Sequence, residues 1–342
     1  MNASKILNAL FLALLLSTQI HAEDKLRKKS NTFFGKISAS MPGSANDTAE
    51  QIKLGERLYF ETALSVNRAQ SCNTCHNILE GGAGTDGLKV AKGALGTSGV
   101  RNTPSTWNAG FQFVQNWDGS AKTLEAQARD PILSPIEMGL GSEKTAIKRL
   151  TKAKYKKVFK KAFPESSPAL SFENITRALA AFQRTLVTQD RFDQYLAGDD
   201  SALNKQEQQG LSLFFNKGCI ACHSGHMMGG QLFMKMGLVK PYPNTQDKGK
   251  GDTTGKAHDE FMFKVPQLRN VAQTAPFFHD GAGKNLEQAV LDTGWHQLGV
   301  RLNDSEVADL SAFLRTLSNT RPYIKQEQGH QVKNKKRVGD KR

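Results

Sequence analysis

The chain has 342 residues, of which 38% are hydrophobic and 23% charged. Length alone allows one to three domains with packed cores, and no stretch beyond the N-terminus is long and apolar enough to cross a bilayer. The formal net charge of +14 suits nucleic acid, an anionic membrane or an acidic protein partner.

Residues 1–22 have the pattern of a signal peptide: Lys5, then the apolar run Ile6 to Leu16, then a small residue, Ala22, before Glu23. An uncleaved anchor is the alternative, although the run is short for a span. Export sets nucleic acid aside as a partner. Residues 23–46 are polar and basic and read as a flexible lead-in. From Thr48 the spacing turns helical, with Ile52, Leu54, Leu58, Tyr59 and Phe60 near one face.

Cys72-Asn73-Thr74-Cys75-His76 follows. C-x-x-C-H is the c-type haem attachment signature: two thiols to add to the haem vinyl groups, and an imidazole to hold the iron. It returns as Cys219-Ile220-Ala221-Cys222-His223, and the two copies use all four cysteines. A zinc site or disulfides are the alternatives, and neither needs a His after each pair. Two covalent haem c groups are therefore expected, and they fit an exported chain.

The duplication is wider than the motif. Gly55 to Phe60 has an echo in Gly210 to Phe215, each shortly before a haem motif. Two later helices also correspond, Phe172 to Leu186 and Ser305 to Leu317, with stripes (Ile175, Leu179, Phe182 and Val307, Leu310, Phe313) that read as core. Between them lie long segments punctuated by Gly and Pro, with little strand pattern. The expected fold is mainly α, with two cytochrome c-like domains at 23–188 and 189–320, each around one haem. Lysines cluster at 148–161, and a basic tail at 321–342 reads as disordered. These charges are either solvated surface or a face that steers an acidic electron donor.

No His occurs between His76 and His223, and Met138 is the one strong neutral candidate for a sixth ligand in the first half. An open first haem, fit for peroxide chemistry, is the favoured reading. Polar function concentrates downstream: Arg101-Asn102-Thr103-Pro104, Asn116-Trp117-Asp118-Gly119, Gln127 and Pro135-Ile136-Glu137-Met138. With the second haem motif, Val265-Pro266-Gln267-Leu268-Arg269-Asn270 and Thr274-Ala275-Pro276-Phe277-Phe278-His279-Asp280-Gly281, the layout resembles the bacterial dihaem cytochrome c peroxidases. It also resembles their relatives, the dihaem enzymes that mature methylamine dehydrogenase. The likeness runs from about Thr48 to Leu317.

The resemblance implies that the first haem is peroxidatic. Glu137 then looks like the distal acid–base residue, Gln127 its polar neighbour, and Trp117 a relay between the haems. It also implies a calcium ion held by Asn102 and the carbonyls of Thr274 and Pro276. Many members have a His seven residues before the R-N motif that caps the resting iron. Here that register gives Ala94, which implies no reductive activation. The second haem usually takes a Met where this chain has Thr293. A replacement could be His296, or one of Met227, Met228, Met234, Met236 and Met262, or nothing.

The leading expectation is a periplasmic dihaem peroxidase. It would reduce hydrogen peroxide to water with electrons from a small cytochrome c or cupredoxin. The rivals are a maturation-type enzyme that oxidises protein side chains, and a dihaem electron carrier without catalysis. The resemblance also leaves a homodimer open.

Overall fold

The computed structural model describes residues 25–79 and 82–325. The signal-like segment 1–22 and most of the basic tail lie outside the described residues. Residues 25–33 are helical (α1). After them come α2 Ala49–Tyr59, α3 Cys72–Cys75, α4 Leu124–Leu133, α5 Glu143–Lys152, α6 Lys156–Ala162, α7 Phe172–Gln183 and α8 Arg191–Ala197. The second half holds α9 Lys205–Asn216, α10 Lys250–Thr254, α11 Leu286–Leu298 and α12 Asp304–Thr316. One short antiparallel pair, β1 Phe233–Lys235 and β2 Met262–Lys264, lies among them. Among the described residues no helix is long and apolar enough to cross a membrane.

The duplication in the sequence becomes one packing unit used twice. α2 opens with a capping box, Thr48 with Gln51, and α9 with another, Asn204 with Glu207. Each helix then crosses a partner at a glycine. A Cβ on Gly55 would fall 1.9 Å from the Ala178 carbonyl oxygen of α7, and one on Gly210 would fall 1.9 Å from that of Asp309 in α12. One turn on, rings meet edge to face: Tyr59 on Phe182 at 5.2 Å, and Phe214 on Phe313 at 5.6 Å. Two cores grow around these crossings. Leu54, Leu58, Ile78 and Ile175 are fully buried in the first, and Phe192, Leu211, Phe313 and Leu317 in the second.

The segment before the first module is not a loose lead-in. Phe34 is 4% exposed and meets Phe192, Phe214 and Phe215 of the second core, while the Phe33 carbonyl accepts from Gly225 N–H. Phe34 explains this, since an aromatic ring in a polar stretch is drawn to apolar surface. At the other end Tyr323 packs on Phe60 and Phe182 of the first core. The two ends of the described chain thus cross over, each resting on the far module.

The Gly-rich loops are held by hydrogen bonds. Gly84 N–H donates to Asn77 O at 2.7 Å, and Ala94 N–H to Glu137 O at 2.6 Å. Between modules, Asn102 N–H donates to His279 O at 2.7 Å and Lys264 N–H to Trp117 O at 2.8 Å. Arg101 spans the same seam, with a two-pronged contact to Asp247 (2.7 and 2.8 Å) and one to Asp118 (2.6 Å). The lysines of α5 and α6, such as Lys148, Lys152, Lys157 and Lys160, face solvent.

Candidate active site

At the first motif, α3 presents Cys72 and Cys75, and His76 closes it. Tyr59 donates its hydroxyl to the His76 carbonyl at 2.6 Å. His76 Nδ1 lies 3.1 Å from Pro104 O and 3.3 Å from Gly84 O. Two carbonyls fix the proton on Nδ1 and leave the lone pair on Nε2, the tautomer an iron ligand needs. Burial lowers the His76 pKa, which keeps the ring neutral. At the second motif His223 Nδ1 lies 2.9 Å from Met228 O, and burial again lowers its pKa. That ring rests on a turn only glycine permits. Gly229 has φ +132°, and a Cβ there would fall 2.2 Å from Pro266 O and 3.2 Å from His223 Nδ1.

Burial pushes the Cys72 thiol up to about 12, and the Cys75 and Cys219 thiols up to about 11. Thiols so placed are poor thiolate ligands. Cys72 packs on the first core and Cys219 on the second, so the four cannot share one zinc ion. A mainly apolar cavity opens at the second motif, with Cys219, Cys222 and His223 on its wall. His279 lies on the same wall, 3% exposed, and its Nε2 has no partner among the described residues. An apolar plate with carboxylate arms fits both features: the wall takes the ring, and an arm can accept the orphan N–H. The residues present fit two covalent haems.

Glu137 stands in the turn after α4. It is exposed by area, but its carboxyl end is crowded, and burial raises its pKa against the opposing Ser134 hydrogen bond, with Asp130 adding to the rise. The carboxylate is close enough to Cys72 and Cys75 to raise both thiols further. Gln127 is half-buried on α4, beside the face that buries Leu124, Ala128 and Ile132. Thus α4 and its following turn carry both residues. Met138 is 6% exposed within the first core.

Trp117 lines the second cavity. Its indole N–H donates to Asn102 O at 2.9 Å, and its ring lies 6.5 Å from that of His279. Asn102 lies two residues before Pro104, whose carbonyl meets His76, so one short backbone stretch joins Trp117 to the first proximal imidazole. Asn102 is 7% exposed, with Nδ2 donating to Leu88 O at 3.0 Å, and it shares the cavity wall with Thr274 and Pro276.

His296, a candidate sixth ligand, lies apart from this cavity. α11 turns Thr293, Gly294 and Gln297 to the cavity, and His296 is not on its wall. The His296 ring instead meets Lys240 O at 3.1 Å and packs on Tyr242. Of the methionines, Met227 and Met228 are fully buried in packing with other side chains, while Met234 and Met236 lie on the cavity wall. Several site features escaped the sequence reading. Tyr59 looked like a core residue on an apolar face, and nothing in its spacing marked the bond to His76. Arg101 stood in a motif, but its partners are distant in the chain. Lys264 is 6% exposed, and burial pushes it down to about 7 against the pull of Asp118.

Two attachment motifs, each with its imidazole fixed for iron and each in its own helical core, define a dihaem c-type cytochrome. The family model for di-haem cytochrome c peroxidase matches residues 49–201, and that for cytochrome c matches residues 208–318. The chain is 38% identical to the cytochrome c551 peroxidase of Pseudomonas aeruginosa, over 95% of each chain. It is 35% identical to the methylamine utilization protein MauG of Methylorubrum extorquens, over 79% of this chain and 78% of that one. A solved MauG-like protein associated with microbial copper homeostasis superposes with a TM-score of 0.73 at 31% identity, over 83% of this chain and 94% of that one. The chain belongs to the di-haem cytochrome c peroxidase family. It is a haem peroxidase, an oxidoreductase.

Proposed function

We propose that the protein works in the periplasm, where it reduces hydrogen peroxide to water at the first haem. One observation carries this reading: a carboxylate with a raised pKa, Glu137, stands near Cys72 and Cys75. Cys72, Cys75 and His76 hold that haem, and Cys219, Cys222 and His223 the other. When bound, the haems supply the electrons that break the O–O bond. Glu137 takes the proton from the nearer peroxide oxygen and gives it to the leaving one, a task for a group that titrates closer to neutrality. Gln127 orients the peroxide. Met138 is committed to the first core and does not compete for the iron. Ala94 cannot ligate, and its loop is tied to the Glu137 carbonyl, so the resting enzyme needs no reductive activation.

Electrons enter at the second haem from a small cytochrome c or cupredoxin. They cross by Trp117, Asn102 and Pro104 to His76. Asn102 and the carbonyls of Thr274 and Pro276, hard oxygen donors on one wall, hold a calcium ion that stiffens this crossing. The test is the purified holoprotein mixed with a reduced c-type cytochrome and hydrogen peroxide. Expected are peroxide-dependent cytochrome oxidation and a high-spin ferric EPR signal before peroxide is added. Two low-spin signals and no turnover would leave only an electron carrier.

A second reading, oxidation of a partner protein's side chain, draws on Thr293. It lines the second cavity and itself offers no thioether, the kind of ligand that would raise the potential of a haem held there. That reading wins if peroxide turns over while reduced cytochrome c is left unconsumed.

A further inference from the structure

Trp117 is linked to His76 through the backbone from Asn102 to Pro104, and a separate aromatic chain starts at the His76 carbonyl. Tyr59 is 1% exposed, and its hydroxyl donates to the His76 carbonyl at 2.6 Å. Its ring lies 5.2 Å from Phe182 and 5.5 Å from Phe60. Both of those contact Tyr323, at 5.8 and 6.3 Å. Tyr323 is half-buried at the surface, and its hydroxyl donates to the Glu56 carboxylate. The two tyrosines differ in the group that can take their proton. Tyr59 faces a backbone carbonyl and the Thr106 hydroxyl, neither of them a useful base. Tyr323 faces a carboxylate. A phenol gives up an electron readily only when its proton has somewhere to go, so the chain runs from a site that cannot hold a radical to one that can.

We infer that Tyr323 is a second point of electron entry to the first haem site, a surface tyrosine oxidised through Phe182, Phe60 and Tyr59 when the protein donor is exhausted. This rests on the proposal that peroxide is reduced at the first haem. Peroxide takes two electrons and two protons to become two waters, which leaves two oxidising equivalents in the protein if no donor returns them. Tyr323 refills one of these. One electron leaves its phenol for the first haem site, and its proton moves to Glu56. A neutral tyrosyl radical and a protonated carboxyl remain. Small one-electron reductants, such as phenols, can then regenerate Tyr323 at the surface without using the second haem.

The test mixes the dihaem protein with hydrogen peroxide alone, freezes it, and reads the EPR spectrum, with mass spectrometry of a spin-trap adduct to locate the radical. Tyr155 is the control. It donates to Glu61 at 2.6 Å, but its ring neighbours are Phe159 and Arg57, not Tyr59. Wild type and Tyr155→Phe should give a tyrosyl signal with the adduct on Tyr323. Tyr323→Phe should lose both, and Tyr59→Phe and Glu56→Gln should diminish them. An undiminished signal in Tyr323→Phe overturns the assignment, and full Tyr323 oxidation in Tyr59→Phe overturns the route. Peroxide consumption with reduced cytochrome c, measured on the same samples, separates the two readings. Turnover without a Tyr323 radical defeats this inference alone, whereas no turnover defeats the proposed function and this inference with it.

Discussion

Burial raises the pKa of Glu137, and the acid–base role proposed for it can be tested at that one side chain. Glu137→Gln should keep both haems and lower peroxide turnover by roughly 10²- to 10⁴-fold, the usual contribution of a general acid–base group. Initial rates and a haem stain would check this. The pKa of Glu137 is raised, so the base is lost at a higher pH than for an ordinary glutamate. Peroxide turnover should therefore fall as the pH drops through that raised value, and the Gln variant should lack this limb. Stability runs the other way. A carboxyl whose folded-state pKa is raised binds its proton more tightly in the native state, so ionising it costs stability as the pH rises. Glu137→Gln should accordingly melt no lower than wild type at neutral pH. The sequence marked Glu137, Gln127 and Trp117 only through the family resemblance that their neighbouring motifs carry. Tyr59 carried no such mark, because a tyrosine that packs in a core and one that holds a ligand's carbonyl look alike in a helical stripe.

The crossing of α2 on α7, repeated by α9 on α12, rests at each site on one missing methyl group. Gly55→Ala and Gly210→Ala should each destabilise by about 1–3 kcal/mol, as overpacking does, with the loss read as a lower denaturation midpoint. A normal midpoint in either variant would mean that the helices slide apart at no cost. A second support lies at the start of α8. Arg269 is fully buried and bonds both oxygens of Asp190, the α8 cap, at 2.7 Å. Arg269→Met strands that carboxylate and should cost about 3–5 kcal/mol. The helices of both crossings were legible because their apolar stripes, and the echo of Gly55 to Phe60 in Gly210 to Phe215, are local signals. The loops were not, since their hydrogen bonds, such as Ala94 to Glu137, join residues far apart in the chain. The helix at 25–33 was missed because charge dominates its composition, and Phe34, the ring that anchors it, lies just past its end.

At the scale of the molecule, the seam between the modules joins the two haem sites. Arg101, Asn102, Trp117 and His279 lie along it. Treatment with a calcium chelator should slow electron transfer from the second haem to the first and lower the melting temperature. Asn102→Ala should reproduce both effects and be insensitive to the chelator, which stopped-flow and calorimetry can check. The twofold layout was legible in the sequence because its two motifs are covalent signatures. The placing of the termini was not, because nothing local tells a segment which of two cores it will cover. That placing has a consequence for biogenesis. Phe34, near the start of the described chain, rests on a core that Phe313 and Leu317, near its end, complete. The second core therefore cannot close over its N-terminal segment until almost all of the described chain has been made.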